Sequence, residues 1–207
     1  GNGWDLPVTL KSVTKTATPS FTKTYTWDIT KDVDKTLVRQ IGGSVVFNYT
    51  VGVTHDTGTE SAWAVKGKIT VSNPNDWESI DADVSDAVDN GGVCTVAGST
   101  HVTLAAASSA TLDYTCSYAA APTAAAGTNT ATATWNASQA STPAGTASGN
   151  ASFAFTSPTS RTNGTVTVTD TFNGGTTTLG TLTATDATPF ATSTYSYSQS
   201  VPFPASG

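Results

Sequence analysis

Cys94 and Cys116 are the only cysteines in the 207 residues. A thiol pair can ligate a metal or close a disulfide. Cys116 shares an alternating face with Leu112, Tyr114 and Tyr118, so it points inward, and two histidines with no further cysteine leave a metal site short of ligands. The pair predicts a disulfide of a β-sandwich, and with it an oxidising compartment; two buried free thiols are the competing reading. His55 and His101 stand in different segments, beside Asp56 and Thr100. No Gly-x-Ser-x-Gly turn or His-Glu-x-x-His helix accompanies them, so the chain is not expected to be an enzyme.

The acids between Asp76 and Asp89 offer oxygen ligands, and the turn Asp76-Trp77-Glu78 could hold calcium or another ligand. Their spacing is not that of an EF-hand loop. Asp81, Asp83 and Asp89 alternate against Ile80, Ala82, Val84 and Val88, which reads as the solvated face of a strand. No other motif asks for a cofactor. Asp86 and Asp170 precede turns, where a carboxylate commonly bonds to turn backbone. Trp27, Trp63 and Trp135 lie on or end apolar faces and suit core packing, whereas Trp77, in a polar turn, is the exposed candidate for a glycan or host protein. Glycosylation acceptors occur at Asn48, Asn136, Asn150 and Asn163. An amide link from Lys to Asn or Asp would need a buried lysine; the lysines on alternating segments are expected to face solvent, which argues against one.

Period-two alternation runs through the chain, with no helical stretch. Phe21, Tyr25, Trp27 and Ile29 form one face, Val45, Phe47, Tyr49, Val51 and Val53 the next, and Trp63, Val65, Ile69 and Val71 another. Leu112–Tyr118 and Asn129–Trp135 follow, separated by breakers such as Gly42-Gly43, Asn73-Pro74-Asn75 and Gly91-Gly92. Ala119–Gly127 contains Pro122 and has no periodic face, so it is a loop. Many short strands at such spacing predict an all-β fold of two tandem immunoglobulin-like antiparallel sandwiches. The expected units are an arm at residues 1–11, a disulfide-bearing sandwich at 12–136, and a smaller one at 137–207 entered through the connector Ser138–Gly149.

The two units carry a repeat. Val84-Ser85-Asp86 through Gly92 parallels Val168-Thr169-Asp170 through Gly175, one residue shorter. The first unit's closing strand begins at Asn129, and the same step onward from Gly175 runs past Gly207. The second sandwich is therefore expected to lack its closing strand and to expose an edge. The arm can fill it: Leu6, Val8 and Leu10 alternate behind Trp4, a pattern suited to β-strand addition from one subunit to the next. Three other readings stay open. The arm folds back into its own chain, the sequence stops before the closing strand, or the second unit is a smaller sandwich that never needed one.

Net charge is -6, and every lysine and arginine except Arg161 lies in the first third. An acidic chain without a basic stripe is not expected to bind nucleic acid. The basic front and acidic rear could orient subunits head to tail, or be solvated strand faces. No run of 18 apolar residues exists, so no membrane insertion is expected. The opening Gly1-Asn2-Gly3-Trp4, without Met, fits removal of a leader or a tag remnant.

Val13-Thr14-Lys15-Thr16-Ala17-Thr18-Pro19, the run Val71-Ser72-Asn73-Pro74-Asn75, Val84–Gly92 and Asn129-Thr130-Ala131-Thr132-Ala133 fall in an order that resembles the Thr-rich immunoglobulin-like repeats of large bacterial cell-surface and cell-wall proteins. The resemblance implies a stalk, spacer or adhesive role outside the cell and brings no catalytic residues. Composition and resemblance together predict a secreted or surface-displayed structural subunit of a fibre, a homopolymer built head to tail. The alternatives are an adhesion module for a glycan or host protein, and a passive spacer.

Overall fold

The structure is a computed structural model describing residues 13–190 and 192–205. Trp4, Leu6, Val8 and Leu10 of the expected arm lie outside the described residues. The fold is all-β, as the alternation predicts, with several antiparallel sheets. The strands are β1 (Val13–Lys15), β2 (Thr18–Thr24), β3 (Trp27–Val33), β4 (Ser44–His55), β5 (Thr59–Ser72), β6 (Ile80–Val88), β7 (Val93–Val96) and β8 (His101–Leu104). They continue with β9 (Ser109–Ser117), β10 (Ala126–Trp135), β11 (Thr146–Ala154), β12 (Ser160–Thr162), β13 (Thr165–Phe172), β14 (Gly175–Thr183) and β15 (Ser193–Pro202). Among the described residues, no helix is long and apolar enough to cross a membrane.

The chain forms two compact units. The larger takes the described residues up to Thr22 together with Glu60–Ser160; the smaller takes Lys23–Thr59 and the described residues from Arg161 onward. In the larger unit one sheet is ordered β2-β5-β9-β7, with β1 also paired to β5, and a second is ordered β11-β10-β6-β8. Inward residues of both sheets, among them Val65, Ile69, Val71, Ile80, Val84, Leu104 and Ala131, make one core. In β10 Thr128, Thr130, Thr132 and Thr134 take the outward positions, while Lys66 and Lys68 of β5 and Asp81 and Asp83 of β6 carry charge on theirs.

The smaller unit has a three-stranded sheet, β15-β4-β3, and the two-stranded ribbon β13-β14. Val51, Val53 and Val168 are its buried core, with Trp27, Leu179, Leu182, Tyr195 and Tyr197 packed around them. That apolar centre is thin, and a polar cluster supplements it. Asp186 accepts hydrogen bonds from Lys23, the Tyr25 hydroxyl and Arg161 at 2.7, 2.9 and 2.9 Å. Those donors hold the Asp186 carboxyl well below the ordinary carboxylate range, Arg161 first, then Lys23 and Tyr25. Because the folded-state value is depressed, the stabilisation is fully present above the pH at which an unfolded Asp protonates and is lost progressively as pH falls from there through the folded-state value. An NMR carboxyl titration should show Asp186 charged well below the pH at which exposed aspartates protonate.

This division corrects the expected tandem of 12–136 followed by 137–207. β11 pairs along its whole length with β10, from Thr134 opposite Thr146 to Ala126 opposite Ala154, so residues 146–154 belong with the disulfide-bearing unit. Phe153 and Phe155 accordingly sit in the larger core. The segment read as a connector is a hairpin loop with its own structure. Asn136 Oδ1 accepts from the amides of Ser138 and Gln139, Trp135 Nε1 donates to Thr142 Oγ1 at 2.8 Å, and Ala140 is buried. The rear strand β15 pairs with β4 from Ser193 opposite Val53 to Pro202 opposite Ser44, so strands early in the sequence serve the rear unit. The Phe21–Ile29 face also divides: Phe21 enters the larger core, Tyr25 is buried in the smaller unit, and Ile29 is 58% exposed.

Candidate functional site

In β1, Val13 is buried and Thr14 exposed, so the alternation turns Lys15 inward. The strand is held on both sides by close backbone approach. It pairs with β5 through Lys15 opposite Ile69. A Cβ at Gly67 would overlap the Thr16 carbonyl, and one at Gly149 would overlap the Val13 carbonyl. Asp86 lies two residues beyond buried Val84 in β6. Asn129 lies two before Ala131 in β10, and Ala131 stands opposite Asp86. Three inward positions thus bring an amine, a carboxylate and a carboxamide together inside the larger unit.

Neither the Lys15 nor the Asp86 side chain has any solvent-exposed surface. Lys15 Nζ donates to Asp86 Oδ1, and Asn129 Nδ2 donates to Asp86 Oδ2 at 2.8 Å. The amine also stands 4.0 Å from the centre of the Tyr114 ring. Burial pushes the Lys15 amine below its ordinary value, against the opposing pull of Asp86, while burial and then the Asp86 charge push the Tyr114 phenol up to about 12. Asn129 is fully buried; its Nδ2 also lies 3.1 Å from Cys116 Sγ, and its Oδ1 has no hydrogen-bond partner. This group corrects two expectations: Lys15 does not face solvent, and Asp86 serves a lysine rather than a turn.

The cysteines close a disulfide, Cys94 to Cys116. The bond joins directly opposed residues of the neighbouring strands β7 and β9, within one sheet and not across the sandwich. The Asp86 carboxylate and both sulfurs lie within 4.8 Å of one another, and with both sulfurs bonded together no thiolate remains to ligate a metal there. The disulfide instead walls the carboxamide from water. Closing a loop across a sequence separation of 22 stabilises by about 3 kcal/mol in the chain-entropy account. Urea unfolding of the Cys94→Ser/Cys116→Ser protein should show a loss of that size.

The smaller unit carries a partial counterpart. Asp170, placed in β13 as Asp86 is in β6, accepts from Lys31 Nζ at 2.5 Å, with a lesser bond to the backbone of Thr171. Lys31 stands 4.8 Å from the Tyr49 ring centre. Its side chain is 44% exposed and, among the described residues, no carboxamide hydrogen-bonds Asp170. The strands differ correspondingly. β6 is paired on both edges, by β8 and β10, while among the described residues β13 is paired only by β14.

The remaining sequence candidates are dispersed. His55 is buried against the rings of Tyr25, Trp27 and Phe190; its Nδ1 donates to the Asp56 carbonyl and its Nε2 accepts from the Thr185 amide at 3.1 Å. Both ring nitrogens are thereby engaged. His101 is exposed and bonded to Asp83 at 2.9 Å, which raises its pKa. Asp81 accepts from Thr103 Oγ1 and Asp89 from the Thr128 amide, so these acids point to separate partners. Trp77 is 62% exposed beside Asp76, while Asn75 Oδ1 and Glu78 Oε2 are buried without hydrogen-bond partners. No family model, curated protein or solved structure matches the chain.

Proposed function

We propose that the chain is a structural subunit of an extracellular fibre or surface layer, without catalytic action on a substrate, that assembles head to tail by β-strand addition. The carrying observation is that, among the described residues, β13 is paired on one side only, where its counterpart β6 is flanked on both edges. A strand edge of eight residues presents unpaired amides and carbonyls that invite another strand. The occupant is the segment Trp4–Lys11 of a neighbouring copy, whose Leu6, Val8 and Leu10 would enter the thin core beside Val168. In this reading both units are immunoglobulin-like sandwiches, interleaved along the chain, and the smaller is completed in the polymer. A contact between two different surfaces that does not close gives filaments. The resemblance to bacterial surface repeats and the disulfide support an extracellular location. Electron microscopy and sedimentation of the full chain and of a variant lacking residues 1–11 test the reading: polymers from the first and monomers from the second are expected, and identical behaviour would refute it.

A second reading, a binding module for a glycan or host protein, is favoured by the exposure of Trp77 in its polar turn. Under it the protein stays monomeric, and Trp77→Ala abolishes ligand capture.

A further inference from the structure

Lys15, Asp86 and Asn129 are arranged for a reaction and not only for packing. The amine and the carboxamide contact the two oxygens of one carboxylate, in a site with no solvent-exposed side-chain surface at Lys15 or Asp86. Asp86 is the only carboxylate bonded to either group among the described residues. Fixing an amine next to a carboxamide removes the entropic cost of bringing them together, which is a large share of the barrier between such groups in water. Dry surroundings favour the neutral, nucleophilic amine, consistent with the lowered Lys15 pKa, and exclude the water that would compete as nucleophile.

We infer that Lys15 and Asn129 form an intramolecular amide bond, with Asp86 as the proton carrier. Lys15 passes one proton to Asp86, leaving a neutral amine and a neutral carboxylic acid. Nζ attacks Asn129 Cγ, forming the N–C bond. Asp86, already bonded to Nδ2, delivers a proton to that nitrogen as the Cγ–Nδ2 bond breaks, and takes up the proton that Nζ sheds. One ammonia leaves, no electron is transferred, and no outside reactant is used. The product ties β1 to β10, so the first described strand of the larger unit could not be pulled away without breaking a covalent bond. That property suits a chain under tension, although the inference stands independently of the fibre reading. The Lys31–Asp170 pair of the smaller unit, with no carboxamide on its carboxylate among the described residues, stays an ion pair and is an internal control.

Intact-mass spectrometry of the purified full chain, followed by protease digestion and fragment sequencing, tests this. The expected result is a mass one ammonia below that of the disulfide-bonded sequence, with a branched peptide joining Lys15 to Asn129. Asp86→Ala should restore the missing mass, and Lys31→Ala should leave the loss in place. A full-length mass with no branched peptide overturns the proposal. So does the loss of one water, which would put the bond on Asp86, and so does an ammonia loss with no branch, which would mean cyclisation at an asparagine. The wild-type mass decides even if the Asp86 variant does not fold.

Discussion

Asp86→Ala is expected to destabilise the larger unit by about 3–5 kcal/mol, read as a fall in the urea midpoint. The size follows from what the substitution leaves behind. Lys15 has no exposed side-chain surface to hydrate it, and Asp86 is its only hydrogen-bond acceptor among the described residues. Asn129 Nδ2 loses its oxygen acceptor at the same time and keeps only the disulfide sulfurs. Removing one partner from a buried pair costs more than the pair contributes, because the survivor's desolvation is uncompensated. The double variant Lys15→Met/Asp86→Leu should recover much of the loss, since apolar groups of similar volume leave no orphaned charge. Equal destabilisation in the single and double variants would show that what both lose, the Lys15–Asn129 bond or the packed volume, and not an orphaned charge, sets the effect.

Phe155→Ala should cost about 3–5 kcal/mol and should do so in the disulfide-bearing unit. The ring lies edge-on to Trp63 at 5.0 Å, to Tyr118 at 5.6 Å and to Phe153 at 5.6 Å, with Phe21 at 6.3 Å and itself stacked on Trp63 at 4.1 Å. Five aromatic residues from four segments of the chain meet there, so truncation opens a cavity that its neighbours cannot all close. Amide hydrogen exchange locates the damage. Protection should fall in β5, β9 and β10, while β4 and β15 keep theirs. Loss confined to β13–β15 would instead restore the tandem arrangement in which Phe155 belongs to the rear unit.

Strand faces were readable from the chain, because alternation requires only that neighbouring residues point opposite ways. Val65, Ile69 and Val71 are buried as that pattern requires. The same rule contained the Lys-Asp-Asn group. Lys15 is two residues from Val13, Asp86 two from Val84, and Asn129 two from Ala131, so each shares the face of a core residue. Extending to Lys15 the outward reading of lysines such as Lys66 and Lys68 hid it. Pairing partners were not readable in the same way. Period two says which face a residue occupies but not which strand lies alongside, and alternating sequences such as those of β4, β11 and β15 are compatible with many registers. Hence the interleaving, with β4 against β15 and β11 against β10, emerged only from the fold. The repeat between Val84–Asp86 and Val168–Asp170 did carry through: both valines are 4% exposed and both aspartates meet a lysine.

The most direct measurement concerns the free side of β13. A chain lacking residues 1–11 would be titrated with a synthetic peptide of the sequence Trp4–Lys11 while amide hydrogen exchange is followed residue by residue. Strand addition predicts slowed exchange at alternate amides between Thr165 and Phe172, saturating with peptide and abolished when Leu6, Val8 and Leu10 of the peptide are changed to Asp. Exchange across β13 that is indifferent to the peptide at saturating concentration would contradict assembly by this route.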